Sequence, residues 1–153
     1  DQCMAENVDW ILAHSPPATR MVLWAHNAHV AKQAGSIGGY LAQRHGADLV
    51  TFGSACHEGQ YTAIKDGGLR GKAAVPSVPG SAEAVFHGTG TQRFLLDLRK
   101  VSSSDPESAW LDGEITIRSI GALAINGFHI ANIRRQYDVI VFVDHGTPST
   151  LLP

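Results

Sequence analysis

Apolar positions recur at helical spacing near the start of the chain. Met4, Val8, Ile11 and Leu12 share one face over residues 4–14, with Glu6 and Asp9 opposite. Ser15-Pro16-Pro17 predicts the end of that helix, because proline lacks a donor and forces its predecessor extended. Residues 20–24, with the apolar run Met21-Val22-Leu23, predict a short buried strand. Residues 37–44, carrying Tyr40 and Leu41, predict a second helix closed by Gly46 as C-cap.

Further along, Asp48–Gly53 predicts a second strand and Gln60–Ile64 a third. Residues 65–79, with Gly67-Gly68 and two prolines, read as a loop of weak strand character. Ser81 is an N-cap candidate for a helix at Ala82–His87, with Glu83 at the positive end. A fourth strand is expected at Arg93–Leu98, and Pro106 can open a short helix around Glu107–Leu111. Tyr137–Asp144 is almost wholly apolar and β-branched, the signature of a central strand buried on both faces. The alternation of strands and helices predicts an α/β fold, with a mainly parallel sheet flanked by helices.

In such a sheet, sites gather beyond the carboxyl ends of strands. His26 and His29, His57 and Glu58, and Asp144 and His145 are all expected there. Imidazole titrates near neutrality, so His26 and His29 are candidates for a general base and a transition-state stabiliser, with Asn27 orienting a ring or the substrate. Glu58, beside the flexible Gly59, is a candidate to orient a histidine or take a proton, against the plain reading of a solvated loop acid. One of the two histidines would, on an equally plain reading, simply cap a strand end.

Other chemistry fits less well. His26 and His29 are three apart, whereas a helical zinc pair is spaced by four, and a third ligand would have to come from His57, Glu58, Asp144 or His145. Gly88-Thr89-Gly90 lacks the Lys-Ser/Thr of a phosphate loop, and no serine sits in a Gly-x-Ser-x-Gly elbow. Cys56 adjoins His57, but neighbouring side chains rarely form a working pair. No cofactor is expected.

Composition narrows the classes. At 153 residues the chain suits one domain with a real core. A net charge of -2 gives no support for a nucleic-acid partner. Two cysteines are too few for a disulfide framework, so a reducing, cytoplasmic setting is the default. No apolar run approaches the roughly 18–20 residues needed to span a bilayer, so no membrane partner is expected.

Trp24-Ala25-His26-Asn27-Ala28-His29, preceded by Met21-Val22-Leu23, resembles the core motif of the erythromycin esterase family. Flanking segments agree: Met4–Val8, Gly39-Tyr40-Leu41, Glu58-Gly59-Gln60-Tyr61, and Tyr137-Asp138 through Asp144 with Thr147-Pro148. The resemblance implies hydrolysis of a carboxylic ester, typically a macrolide lactone, by a histidine-activated water without an acyl-enzyme. It implies catalytic roles for His26 and His29, a supporting role for Glu58, and substrate contacts from Trp24 and Asn27. It also implies a general base in an N-terminal half bearing a Gly-Glu-x-x-His motif. Here Gly113-Glu114 is followed by Ile115-Thr116-Ile117. Residues 1–153 are therefore expected to form the C-terminal half of a larger domain, inactive without a missing N-terminal half.

Overall fold

The structure is a computed structural model that describes residues 1–122 and 126–150. The elements run α1 (Gln2–Ala13), α2 (Asn27–Val30), α3 (Ile37–His45), β1 (Phe52–Lys65), β2 (Gly68–Ala74), α4 (Ala82–Gly88), β3 (Arg93–Asp97), β4 (Ile115–Ile120), β5 (Asn126–Ala131), α5 (Ile133–Gln136) and β6 (Val139–Gly146). Short 3-10 turns lie at Gly46–Asp48, Leu98–Lys100 and Ala109–Asp112.

The helical expectations hold where caps are strong. Ser36 accepts from Gly39 N to start α3, and Gly46 closes it at φ 52°. Ser81 accepts from Ala84 N to start α4. In α1 the periodicity is right but the apolar face is only partly covered: Ala5 is buried, while Met4 and Ile11 are exposed.

The sheet departs from expectation. Four strands are ordered β2-β1-β6-β3, and only β1 and β6 run parallel. The sheet is therefore mixed rather than mainly parallel. Two local causes account for this. Asp66 and Gly67 both take positive φ (50° and 76°), which folds β2 back on β1 as an antiparallel hairpin. β3 then adds antiparallel to β6. The segment read as a loop over residues 65–79 thus contains a strand; of the strand expected at 48–53 only residues 52–53 form strand, and they run on without a break through 60–64 in one β1. The hairpin of β4 and β5 forms a separate two-stranded sheet that the sequence reading did not anticipate.

The expected strand at residues 20–24 is absent. These residues take no regular structure, and Val22 and Trp24 are 89% and 95% exposed. Apolar character alone had suggested burial; among the described residues no strand pairs with this segment.

β6 is central, as expected, and Phe142 on it is fully buried. Around Phe142 pack Phe86 of α4 and Phe94 of β3, with ring centroids 5.5 and 5.0 Å away; Phe86 in turn meets Trp110 at 5.7 Å. Ile140, Ile117, Leu111 and Ile133 complete this core. A smaller cluster of Ala5, Ile37 and Leu41 joins α1 to α3. Gly59 marks a close approach of β1 to β6: its φ is +119°, and a Cβ there would lie 2.2 Å from the Gly146 carbonyl oxygen.

Candidate functional site

Three long-range clamps hold the loop that carries the paired histidines. His26 is the N-cap of α2, its Nδ1 accepting from Ala28 N at 3.1 Å. An Nδ1 that accepts leaves the proton on Nε2, which donates to the Ile120 carbonyl at 2.5 Å. Both ring nitrogens of His26 are thus occupied. Asn27 binds β1 as a neighbouring strand would: its Oδ1 accepts from Ser54 N and Oγ at 3.0 Å each, and its Nδ2 donates to Ser54 O at 2.7 Å. Lys32, just beyond α2, pairs with Asp138 at 2.6 Å, and the other oxygen of Asp138 accepts from Thr51 N. The loop is therefore fixed to both central strands of the sheet.

His29 is placed differently. Its Nδ1 lies 3.0 Å from both carboxylate oxygens of Asp1. Its Nε2 forms no hydrogen bond among the described residues. The ring stands edge-on to that of His26, with centroids 6.5 Å apart.

Below the loop opens a cleft of about 510 Å³, a volume typical of small-molecule sites. Its walls are mostly apolar, with Trp24, Tyr61, Ile117, Ile120, Val141 and Val143 contributing. His26, Asn27, Ser54, Arg118 and His129 supply polar groups. Trp24, His26 and Asn27 line the cleft, whereas His29 is not among its lining residues, although its ring stands edge-on to that of His26.

Glu58 does not line the cleft. It sits within β1 in register with His145, whose Nδ1 is 3.8 Å from its carboxylate, and both side chains are largely solvated. His57 and Asp144 belong to a third place, the sheet face under α4. His57 stacks on His87 of α4 at 3.7 Å and meets the Ser77 hydroxyl at 2.6 Å, while His87 bonds Asp144 at 2.7 Å. The three expected clusters therefore do not converge: His57 and Glu58 lie inside a strand, and alternation sends them to opposite faces.

Sequence reasoning passed over two groups in this region. Asp1 was one. Glu83 was the other: it is 3% exposed, its Oε1 accepts from Arg118 N at 2.8 Å, and its Oε2 has no hydrogen-bond partner among the described residues. The buried Arg118 guanidinium binds the carbonyls of Cys56, His57 and Val75 and lies 4.8 Å from the Phe128 ring. This joins β4 to β1 along the back of the cleft. The signal for Glu83 was its place three residues after Pro79-Gly80, inside the first turn of α4, where an acid is ordinarily a surface dipole partner.

Burial raises the Cys56 thiol above its usual range, so the thiolate nucleophile is scarce at neutral pH. Burial likewise pushes the Tyr137 phenol up to about 12, leaving it a neutral donor. Among the described residues, no group of three or more His, Cys, Asp or Glu side chains is arranged to hold a metal ion. No helix of the described residues is long and apolar enough to cross a membrane.

Known proteins resemble this chain over most of its length. A Bacillus subtilis (strain 168) protein named "Putative hydrolase YbfO" is 23% identical over 164 residues, covering 99% of this chain and 36% of its own length. A Bacillus cereus protein of known crystal structure superposes with a TM-score of 0.83 at 25% identity, covering 95% of this chain and 37% of that one. A crystal structure of a succinoglycan biosynthesis protein gives 0.71 at 25% identity, with 80% and 32% covered. The chain thus spans about a third of the length of these relatives. The family model described as erythromycin esterase matches residues 1–146, and the chain belongs to the erythromycin esterase family.

Proposed function

We propose that this chain carries part of the active site of a carboxylic ester hydrolase, acting on a neutral, largely apolar ester or lactone. The observation that carries the reading is the contrast between the two motif histidines. His26 has both nitrogens engaged and anchors the loop; His29 has a carboxylate on Nδ1 and an Nε2 with no hydrogen bond among the described residues. His29 is thus the ring able to accept a hydrogen bond from a water. Membership of a family of hydrolases supports the reaction class.

In the reaction, a water oxygen attacks the ester carbonyl carbon while a general base from the remaining part of a family-length domain removes its proton, and His29 Nε2 accepts a hydrogen bond that orients the water. The tetrahedral intermediate collapses with cleavage of the bond to the alkoxy oxygen, and the protonated base returns the proton to that leaving group. Acid and alcohol result, with no acyl-enzyme. The raised Cys56 thiol favours this route over a covalent one. Trp24 offers an indole face to the substrate, and His26 and Asn27 hold the loop in place. A macrolide lactone suits the mostly apolar walls of the cleft.

The same reading includes a partner surface. Val22 and Trp24 are solvated, and the relatives are nearly three times as long. The remaining part of a family-length domain is the proposed cover for this segment and the source of further catalytic groups. Hydrolysis of a chromogenic ester and of a macrolide lactone, by the 153-residue chain and by a family-length form, tests this. Turnover confined to the longer form is expected; equal turnover by the short chain would show that its own residues suffice.

A further inference from the structure

The inward face of the β4–β5 hairpin carries polar side chains beside apolar ones. Alternation puts Ile117 and Ser119 of β4 on one face, together with their cross-strand partners His129 and Gly127 of β5. Further along that face, Ala131 is buried in the core and Ile115 packs against it. Ile117, Ser119 and His129 line the cleft. The imidazole of His129 and the hydroxyl of Ser119 form no hydrogen bond among the described residues. Gly127 adds no side chain beside them: a Cβ there would have the Ser119 carbonyl oxygen, at 4.0 Å, as its nearest neighbour from elsewhere in the chain. Ser119 and His129 are diagonal neighbours, about 7 Å apart, so one ligand oxygen between them can meet both.

The pair stands away from the motif loop. His26 Nε2 meets the β4 backbone at Ile120, whereas His129 lies opposite Ile117, three residues earlier. At about 3.3 Å per residue, this is about 10 Å along the strand. The charge of the walls narrows the group that binds there. The titratable side chains lining the cleft are His26, Cys56, Tyr61, Arg118, His129 and Tyr137, none of them a carboxylate. An ammonium group therefore finds no counter-charge on these walls, while an oxygen finds donors. Imidazole offers a donor nitrogen in either protonation state, and the serine hydroxyl both donates and accepts. Mostly apolar clefts take their specificity from a few polar groups of this kind.

We propose that His129, assisted by Ser119, is a specificity-determining residue of the cleft: it hydrogen-bonds a hydroxyl on the acyl chain of the substrate, about 10 Å from the reacting carbonyl. This rests on the reading of the chain as part of an ester hydrolase, with the reaction at the motif-loop end. It narrows the substrate to esters or lactones that are apolar near the carbonyl and hydroxylated beyond it.

The experiment compares p-nitrophenyl octanoate with its ω-hydroxy analogue, hydrolysed by wild type, His129→Ala and His129→Gln in a family-length form. Wild type should favour the hydroxy ester by about five- to ten-fold in kcat/KM, the worth of one hydrogen bond. His129→Ala should abolish that preference, the change appearing in KM for the hydroxy ester and not in kcat. His129→Gln, which keeps a donor, should retain part of it. Tm should not change, because the ring is exposed and holds no other part of the fold. A preference undiminished in His129→Ala, or an equal loss on both esters, would overturn the proposal. The matching amides, octanamide and ω-hydroxyoctanamide, make the test independent of turnover. The NMR signal of the His129 ring should shift with the hydroxy amide alone; equal responses to the two amides would also overturn it. No hydrolysis of either ester, with that selective shift present, would reject the ester reading and leave His129 as a hydroxyl-binding group.

Discussion

Replacing His26 separates anchoring from catalysis, because its two hydrogen bonds can be removed one at a time. His26→Ala deletes the N-cap of α2 and the bond to the Ile120 carbonyl, ninety-four residues away. A lost N-cap costs about 1 kcal/mol. A lost hydrogen bond costs about 1 kcal/mol more. His26→Asn keeps a good cap and loses only the reach to Ile120, so its cost is about 1 kcal/mol. For a domain of this size about 1 kcal/mol moves Tm by roughly 3 °C, so the expected drops are about 6 °C for alanine and about 3 °C for asparagine. Calorimetry reads both. In ester hydrolysis, an anchor predicts that His26→Asn retains a substantial part of wild-type turnover, whereas a base predicts near-complete loss. Equal Tm values for wild type and His26→Ala would refute the clamp; turnover lost in His26→Asn as deeply as in His29→Ala would refute the division of roles.

Other expectations follow from single contacts. Gly59→Ala forces a Cβ against the Gly146 carbonyl at positive φ and should cost about 2–4 kcal/mol in urea unfolding. Phe142→Ala, at the centre of the aromatic cluster, should cost about 3–5 kcal/mol, and a smaller loss would mean the core collapses around the gap. The Arg99 side-chain hydrogen bond holds Asp97 down to about 2, from an ordinary value of 3.8. A lowered folded-state value means this pair's contribution is full above pH 3.8 and is lost as pH falls toward 2; an NMR titration of Asp97 with a midpoint near 3.8 would contradict it. Cys56→Ser should leave turnover within about two-fold, because the raised thiol takes no part; a large loss would bring covalent chemistry back.

Local signals in the sequence carried well into the structure. Ser36, Gly46 and Ser81 marked helix ends through backbone chemistry that does not depend on distant partners. The β-branched run of β6 named the central strand, since only burial on both faces accommodates it. Strand direction was not legible. Asp66-Gly67 is a hairpin signal, but the run of glycines around it reads equally as a loop, and the antiparallel β2 changes the sheet's class. Residues 20–24 show the opposite error: apolar content implies burial only where a partner supplies it. At the site, the paired histidines were visible as a motif, but their roles came from Ala28 N, Ile120 O and Asp1, which no spacing rule links to them. Glu58 drew notice because it precedes a glycine in a polar run; the strand register turns it toward His145 instead of the cleft.

The central claim is that His29 orients the attacking water of a hydrolytic site. The most direct measurement is steady-state hydrolysis of an ester substrate by wild-type and His29→Ala proteins of family length, with folding checked by Tm. The account predicts kcat lower by roughly 10²–10⁴-fold at an unchanged Tm. Equal turnover by the two proteins would contradict it.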